Sequence, residues 1–581
     1  MKIRSTKYLL VLALPAFAIA SLTGCNKNKF DSKTTIYIEP FSGSGFGFKW
    51  IEDLAAKWKE ETGYTYDVLV DPSSIVFAGT QLDQIASGIS RTDIFFGGEP
   101  EYKAGIYKDY FEDLTDILDV KPDGESGKTI REKISNWDTW KNVGAKVVYD
   151  KATGEFKNEG LYMLPYTVTL SGLIFDYDSF EQKGLLIKAE NNDTVKAELT
   201  AQGISYHVQG NSLVFDSAST PTNYESGDTI MRAGKDGKYG TYDDGQPVTL
   251  SEYETLRNKI AAIGGKPTVY SKQGLYFDAS NYALMAQIGG VEQYNALTSF
   301  DTYGKELQFY DGTSGVVNWN NGYKAYYGKA IGDASQFIYS NFYATKDYYK
   351  ADNYVNEAQG DFINGLLGRS AFCGFINEGN WMETEAAELF NAAHKNGGKA
   401  YGEYDLRFLM WPEFEGQKGI DGEGHGTFMS GPEYGAIVVR KQDDADKLAA
   451  IKSLLAYILR NESMAKVNVE TGLVWGYDYE IPNELKSQMT LFQKNCYEVY
   501  HDFENVRILC HRSDKLACPF TYSAKDINNP NTIVPVGKTG QTVASALQAG
   551  MSVDTIVTRI HENYTAEKWA EIIQQTKDYL S

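Results

Sequence analysis

Between Thr35 and Gly98 the hydrophobic period of the chain switches repeatedly, and that alternation decides what it can fold into. Thr35-Ile36-Tyr37-Ile38 reads as a buried strand, ended by Ser42-Gly43-Ser44-Gly45. Trp50, Ile51, Leu54, Ala55 and Trp58 then recur at helical spacing over Phe48 to Glu61. Gly63 stops that helix, and Tyr64 to Val70 reads as the next strand. Gln81 to Ala86 reads as helix, and Asp93 to Phe96 as a third strand closed by Gly97-Gly98. Strand, helix, strand, helix, strand is the pattern of a parallel sheet with right-handed crossovers. Ligands of such sheets bind beyond the carboxyl ends of the strands. The pattern therefore puts Glu39, Phe41 and Ser42, with Phe96 and Glu99, on one rim.

The residues before this region have a different purpose. Lys2, Arg4 and Lys7 make a basic start, and Tyr8 to Ala20 form an apolar run of 13 residues broken only by Pro15. Such a run is too short to span a bilayer as a helix and matches a signal-peptide core. Leu22-Thr23-Gly24-Cys25 resembles the bacterial lipobox, in which the Cys thiol receives a diacylglycerol and the chain is cut just before it. Residues 1–24 are thus expected to be a leader and 25–33 a polar tether. Beyond them no apolar run approaches membrane-spanning length.

With the 24 leader residues of 581 removed, about 557 remain, too many for one hydrophobic core. Two large lobes are expected. Losing three basic residues with the leader takes the net charge from −21 to −24. That charge repels nucleic acid and anionic lipid heads, and its even spread reads as a solubilising surface. Of the aromatic residues, 41 are Tyr and 9 are Trp, side chains with a flat apolar face and a hydrogen-bonding edge that suit sugar rings.

Three further stretches carry a resemblance. Leu161-Tyr162-Met163-Leu164-Pro165-Tyr166 leads into Leu173-Ile174-Phe175-Asp176-Tyr177-Asp178. Ala371-Phe372-Cys373-Gly374-Phe375 is followed by Asn377-Glu378-Gly379-Asn380-Trp381. Gly431-Pro432-Glu433-Tyr434-Gly435-Ala436-Ile437 precedes an amphipathic helix, Ala445 to Ile458, and Thr471-Gly472. In order and spacing these resemble the maltose-binding-protein-like family, the extracellular solute-binding proteins of carbohydrate ABC importers. The resemblance implies an α/β, two-lobed, periplasmic-binding-protein-like fold of type II with hinge crossovers. Lobe I would take 34–167 and 436–510, and lobe II 168–435 and 511–581. Residues about 186–250 and about 480–535 exceed the family core.

It also implies a function: a lipid-anchored monomer on the extracytoplasmic face of the cell membrane captures an oligosaccharide and delivers it to permease subunits. No cofactor is required. Carried over residue by residue, Glu39 and Glu99 are polar sugar contacts, Phe96 and Trp381 are stacking platforms, and Tyr166 and Thr169 lie on the crossover facing the cleft. Trp475 is a rim candidate. A sugar needs acceptors for its hydroxyls and rings for its CH-rich face, so the pairing of acids with aromatics suits that ligand.

A separate loop, Gly234 to Gly245, packs Asp236, Asp243 and Asp244 among four glycines. Converging oxygens of this kind would suit a structural calcium ion, and an ordinary Asp-Gly turn accounts for the same residues. Cys510 and Cys518 could close a short disulfide loop; with His501 and His511 nearby, their spacing matches no zinc template. Cys373 reads as an inert buried thiol. The sequence has no Gly-x-Ser-x-Gly elbow, His-Glu-x-x-His or phosphate-binding Gly-Lys-Ser/Thr loop, so no enzyme is expected. A secreted carbohydrate-active enzyme with an acid pair and a surface glycan-binding adhesin are the alternative readings.

The leader carries its own test. Cys25→Ala should release the protein to the medium or leave it unprocessed, read by membrane fractionation and detergent partitioning. Unchanged membrane retention would remove the lipid anchor.

Overall fold

The computed structural model describes residues 33–40, 46–71, 78–135, 137–221, 224–272, 275–414, 426–430, 435–509 and 543–580. The leader, Cys25, the tether up to 32, Phe41, Ser42, His511, Cys510 and Cys518 lie outside the described residues.

The first sheet is built as the alternation predicts. Strand β1 (Thr35–Glu39) pairs in parallel with β2 (Asp67–Val70) and with β3 (Ile94–Gly98). Helix Lys49–Thr62 crosses between β1 and β2, burying Trp50, Ile51, Leu54, Ala55 and Trp58. Gly63 ends it in a left-handed conformation (φ 74°), and its N–H returns to the Lys59 carbonyl at 3.1 Å. Strand β17 (Gly435–Val439) runs antiparallel beside β3, and the short β6 (Leu164–Pro165) closes the order β2-β1-β3-β17-β6. Asp93, fully buried, binds this sheet together. Its carboxylate accepts from the Tyr37 N–H at 2.9 Å, from Arg440 and Gln442 at 3.1 Å each, and pairs with Lys447 at 2.8 Å. A buried carboxylate survives only with such partners.

The second sheet is larger. It holds β7 (Leu170–Asp176), β10 (Lys266–Ser271), β13 (Tyr349–Asp352), β14 (Cys373–Gly379), β15 (Leu406–Phe408), β16 (Gly426–Ser430) and β18 (Val506–Leu509). Its order is β13-β10-β14-β7-β16-β18, with β15 also on β7. The chain passes from the first sheet to the second between β6 and β7, returns between β16 and β17, and crosses again ahead of β18. The architecture is therefore α/β and two-lobed, with one sheet at the heart of each lobe. Three hairpins lie outside both sheets: β4 (Lys146–Asp150) with β5 (Glu155–Glu159), β8 (Tyr206–Gln209) with β9 (Ser212–Phe215), and β11 (Glu306–Gln308) with β12 (Ser314–Val316).

One hydrophobic core runs from the first sheet across the crossovers to Tyr404, Phe408 and Phe492; a second, around Tyr253, Phe375, Trp411 and Trp569, fills the larger lobe. The stretch from Ala189 to Tyr239 has a small core of its own, around Leu199, Leu213, Phe215 and Ile230. It docks through Tyr224, which with Tyr177 flanks the Arg407 guanidinium at 5.5 and 3.6 Å. In the tyrosine-and-acid corner after β7, Asp176 caps the next helix, accepting from the Ser179 N–H at 3.0 Å. No helix among the described residues is long and apolar enough to cross a membrane.

The crossovers touch at Gly435. A Cβ there would lie 2.6 Å from Tyr166 Cδ1 and 2.9 Å from Thr167 Cγ2. Gly435→Ala should lower stability by about 1–3 kcal/mol, as overpacking of a tight site does. The measure is the urea midpoint; a wild-type value would mean the two crossings separate freely.

Candidate functional site

Where the chain leaves the first sheet, aromatic rings from four distant segments meet. Phe96 lies in β3, Tyr166 and Trp475 flank the crossover, and Trp50 comes from the first helix. Phe96 and Tyr166 rings lie 5.0 Å apart edge to face, Tyr166 and Trp475 5.6 Å, and Trp50 and Trp475 5.4 Å. The structure thus brings three expected sugar contacts together. It buries them to 3 % exposure or less, with their faces turned on one another. Trp50, one of the apolar residues at helical spacing in the first helix, completes the group. The indole nitrogens of Trp50 and Trp475 are buried without an acceptor among the described residues. A buried N–H of this kind costs free energy until an acceptor reaches it.

The acids are held, not solvated. Glu39, at the end of β1 and buried, accepts from Gln81 Nε2 at 2.6 Å and Thr92 Oγ1 at 3.1 Å. Gln81 Oε1 in turn accepts from the Tyr102 hydroxyl at 3.0 Å. Glu99 opens the helix Glu99–Tyr107 directly after β3; its side chain is outside the described residues. Thr169 is buried on the crossover.

The turn after β14 is fastened to that crossover. Asn380 Oδ1 accepts from the Leu170 N–H at 3.2 Å, and the Asn380 N–H donates to the Leu170 carbonyl at 3.0 Å. Trp381 follows, half-buried, with its ring lying over Gly379, where any Cβ would collide with it. The glycine in Glu378-Gly379-Asn380-Trp381 is there for that approach. Behind the turn lies a residue the sequence reading did not single out, Glu378. It is buried and accepts from its neighbour's N–H (Gly379) at 3.1 Å, from Gln359 Nε2 at 3.2 Å and from the Trp381 indole. Gln359 Nε2 also donates to Glu385 at 2.8 Å, so one amide bridges two carboxyl groups. Burial, with Glu385 adding to it, pushes Glu378 up to about 8. Its place in the Asn377-Glu378-Gly379-Asn380-Trp381 stretch, directly after an apolar run, was the only sequence signal for it.

In the Asp-rich loop the oxygens face hydrogen-bond donors. Asp243 accepts from the Lys235 and Asp236 N–H groups at 2.7 and 3.2 Å and from Thr241 Oγ1 at 3.0 Å. Asp244 accepts from the Gly240 N–H at 2.6 Å, and Asp236 from the Lys238 N–H at 2.7 Å. Each of these three carboxyl groups thus accepts from the loop's own backbone. Among the described residues no group of three or more His, Cys, Asp or Glu comes close enough to hold a metal ion. Cys373 and Cys496 are buried free thiols; burial pushes Cys373 up to about 12.

No protein-family model matches the chain, and no curated protein matches its sequence. Among solved structures, one from a study of xylan utilization by the thermophilic bacterium Caldanaerobius polysaccharolyticus is 12% identical with a TM-score of 0.50, covering 91% of this chain and 100% of that one. It shares the fold. Two structures of RafE are 13% identical: the apo-form from Streptococcus pneumoniae (TM-score 0.49, 91% and 97% covered) and an SBP RafE complex with raffinose (0.47, 91% and 98%).

The buried acids set a pH dependence. Burial raises Glu378 to about 8, Glu383 and Asp243 to about 7, and Asp176 to about 6. In each, the folded chain holds a proton that the unfolded chain has released, so stability falls as pH rises through that range. His501 moves the other way: burial lowers it from 6.5 to about 4, which erodes stability as pH falls below 6.5. Burial lowers Lys235 to about 8, which opposes the acids above that pH. The melting temperature should therefore climb from pH 8 to about 6.5, and Glu378→Gln should flatten the upper part of that climb. A wild-type melt that is flat or rising towards pH 8 would contradict these assignments.

Proposed function

We propose that this protein is an extracytoplasmic receptor that closes its two lobes over an oligosaccharide and hands it to an ABC-type sugar permease. In this reading Cys25 carries the lipid that keeps the receptor at the membrane; two acyl chains hold stably where one holds weakly. The observation that carries the reading is Trp381. It is a half-buried indole on a turn hydrogen-bonded to the crossover, oriented from behind by Glu378. An aromatic face held at the junction of two lobes is what a sugar ring requires.

One further feature supports it. Glu39, fixed by Gln81 and Thr92, offers a positioned acceptor for hydroxyl donors from the first lobe. Ligand favours closure because only the closed form puts groups from both lobes on it. Phe96, Tyr166 and Trp475 then act as the wall behind the ligand, with Trp381 as the platform. The fold neighbour comes from work on xylan utilization, so xylan-derived oligosaccharides belong in the first screen. No catalytic step is assigned to any residue.

The test is calorimetric titration with the best oligosaccharide from a thermal-shift screen, which finds ligands because binding to the folded state raises the melting point. Trp381→Ala should weaken binding roughly 10- to 1000-fold, the loss typical of a stacked aromatic anchor, with little change in the apo melt. Wild-type affinity in that variant, or its failure to fold, would place Trp381 on the surface or in the core instead. Recovery of the sugar uncut separates a receptor from a carbohydrate-active enzyme.

A further inference from the structure

The β4–β5 hairpin belongs to the first lobe by its base. The Lys103 ammonium donates to the Ala145 carbonyl at 2.9 Å, and the Tyr107 hydroxyl accepts from the Val147 N–H at 3.1 Å. Both partners sit on the helix that follows β3. From there the hairpin reaches out, and its residues from 151 to 160 are exposed with one exception, Phe156.

What covers Phe156 comes from the other lobe. Its ring meets the edge of Trp319 at 5.3 Å and an interplanar angle of 79°. Directly across the hairpin from Phe156 stands Tyr149, ring to ring at 5.2 Å, and Lys577 Nζ lies 5.2 Å over the Tyr149 ring. Trp319 and Lys577 are parts of one platform. Trp569, on the same helix as Lys577 (Ala566–Leu580), donates its indole N–H to the Trp319 carbonyl at 2.7 Å and packs against Phe300 at 4.7 Å in the core of the larger lobe. Two aromatic side chains on the outer face of a hairpin are thus matched by an indole edge and a cation on a rigid helix. None of these residues lies on a crossover strand.

We propose that this hairpin is a clasp between the lobes: Tyr149 and Phe156 engage Trp319 and Lys577, and that contact biases the lobes towards closure. The bias rests on the receptor reading only in that the lobes open and close; the contact needs no ligand. An aromatic pair of this geometry shifts a two-state equilibrium by about two- to tenfold. Because Phe156 sits near an exposed tip, its removal leaves both cores intact. Lys577→Ala probes the same contact from the opposite lobe.

The experiment compares wild type, Phe156→Ala and Lys577→Ala as full-length apo chains by small-angle X-ray scattering and hydrogen exchange. Each is then titrated with the best oligosaccharide from the screen. Both variants should show a larger maximum dimension, faster exchange across residues 566–580, and sugar dissociation faster by about two- to tenfold at unchanged melting temperature. Wild-type scattering and exchange in both variants would overturn the clasp, whatever the titration gives. Altered scattering and exchange with no sugar bound by any form would sustain the clasp and count against the sugar ligand instead.

Discussion

Between Tyr166 and Leu170 the chain is hydrogen-bonded to three separate segments, and the placement of everything else follows from that short passage. The Tyr166 N–H donates to the Gly435 carbonyl at 2.7 Å and the Val168 N–H to Val474 at 2.9 Å, while Leu170 exchanges hydrogen bonds with Asn380. Thr167 adds its hydroxyl to the Val474 carbonyl at 3.0 Å. A one-residue slip in an extended segment turns every side chain to the opposite face. Here it would take Tyr166 out of the aromatic group and break the Asn380 tie that positions Trp381. Register at five residues therefore decides both the wall and the platform of the proposed cleft.

The buried acids divide into two kinds, and the division bears on function. Asp93 is surrounded by Arg440, Lys447 and Gln442, an arrangement that keeps a charge inside a core and holds β1, β3 and β17 together. Glu378 has no cation among its named partners. It has an amide, a backbone N–H and an indole, with a second carboxyl group, Glu385, adding to its upward shift. Such an environment favours the protonated acid near neutrality. The neighbour it holds by a directional hydrogen bond is Trp381.

Much of this fold was legible because its signals are local. Periodicity marks the helix from Lys49, Gly63 marks its end, and the apolar runs mark β1, β3 and β14. The Pro165-Tyr166 crossover and the Asn380-Trp381 turn stand out for the same reason. The site was legible only as a set of residue types. Nothing near Phe96 announces that Tyr166 will meet its ring, or that Trp475 will meet Tyr166, since those contacts span some 70 and 310 residues of chain (for long-range burial has no sequence period). In the Asp-rich loop the acids could be counted, but whether their oxygens face a cation or N–H groups depends on how the glycines turn the backbone. Glu378 was hidden by the apolar strand around it. The β4–β5 hairpin, short and largely polar, left no amphipathic trace at all.

The continuity of the first core limits how the lobes can move. Phe408 of β15 packs on Phe492, and the helix carrying Phe492 reaches back to the first lobe, where the Tyr500 hydroxyl donates to Ser135 Oγ at 2.8 Å and Tyr497 packs on Tyr479 at 5.8 Å. Pulling those layers apart would expose buried aromatic surface, which costs far more than a single edge-to-face pair. Opening must then pivot around the crossovers and this helix, leaving their packing intact. Contacts that join the lobes outside that continuous core have no such protection. Phe156 against Trp319 is a contact of this kind: it is small enough to break, aromatic enough to matter, and anchored on each side to a rigid element.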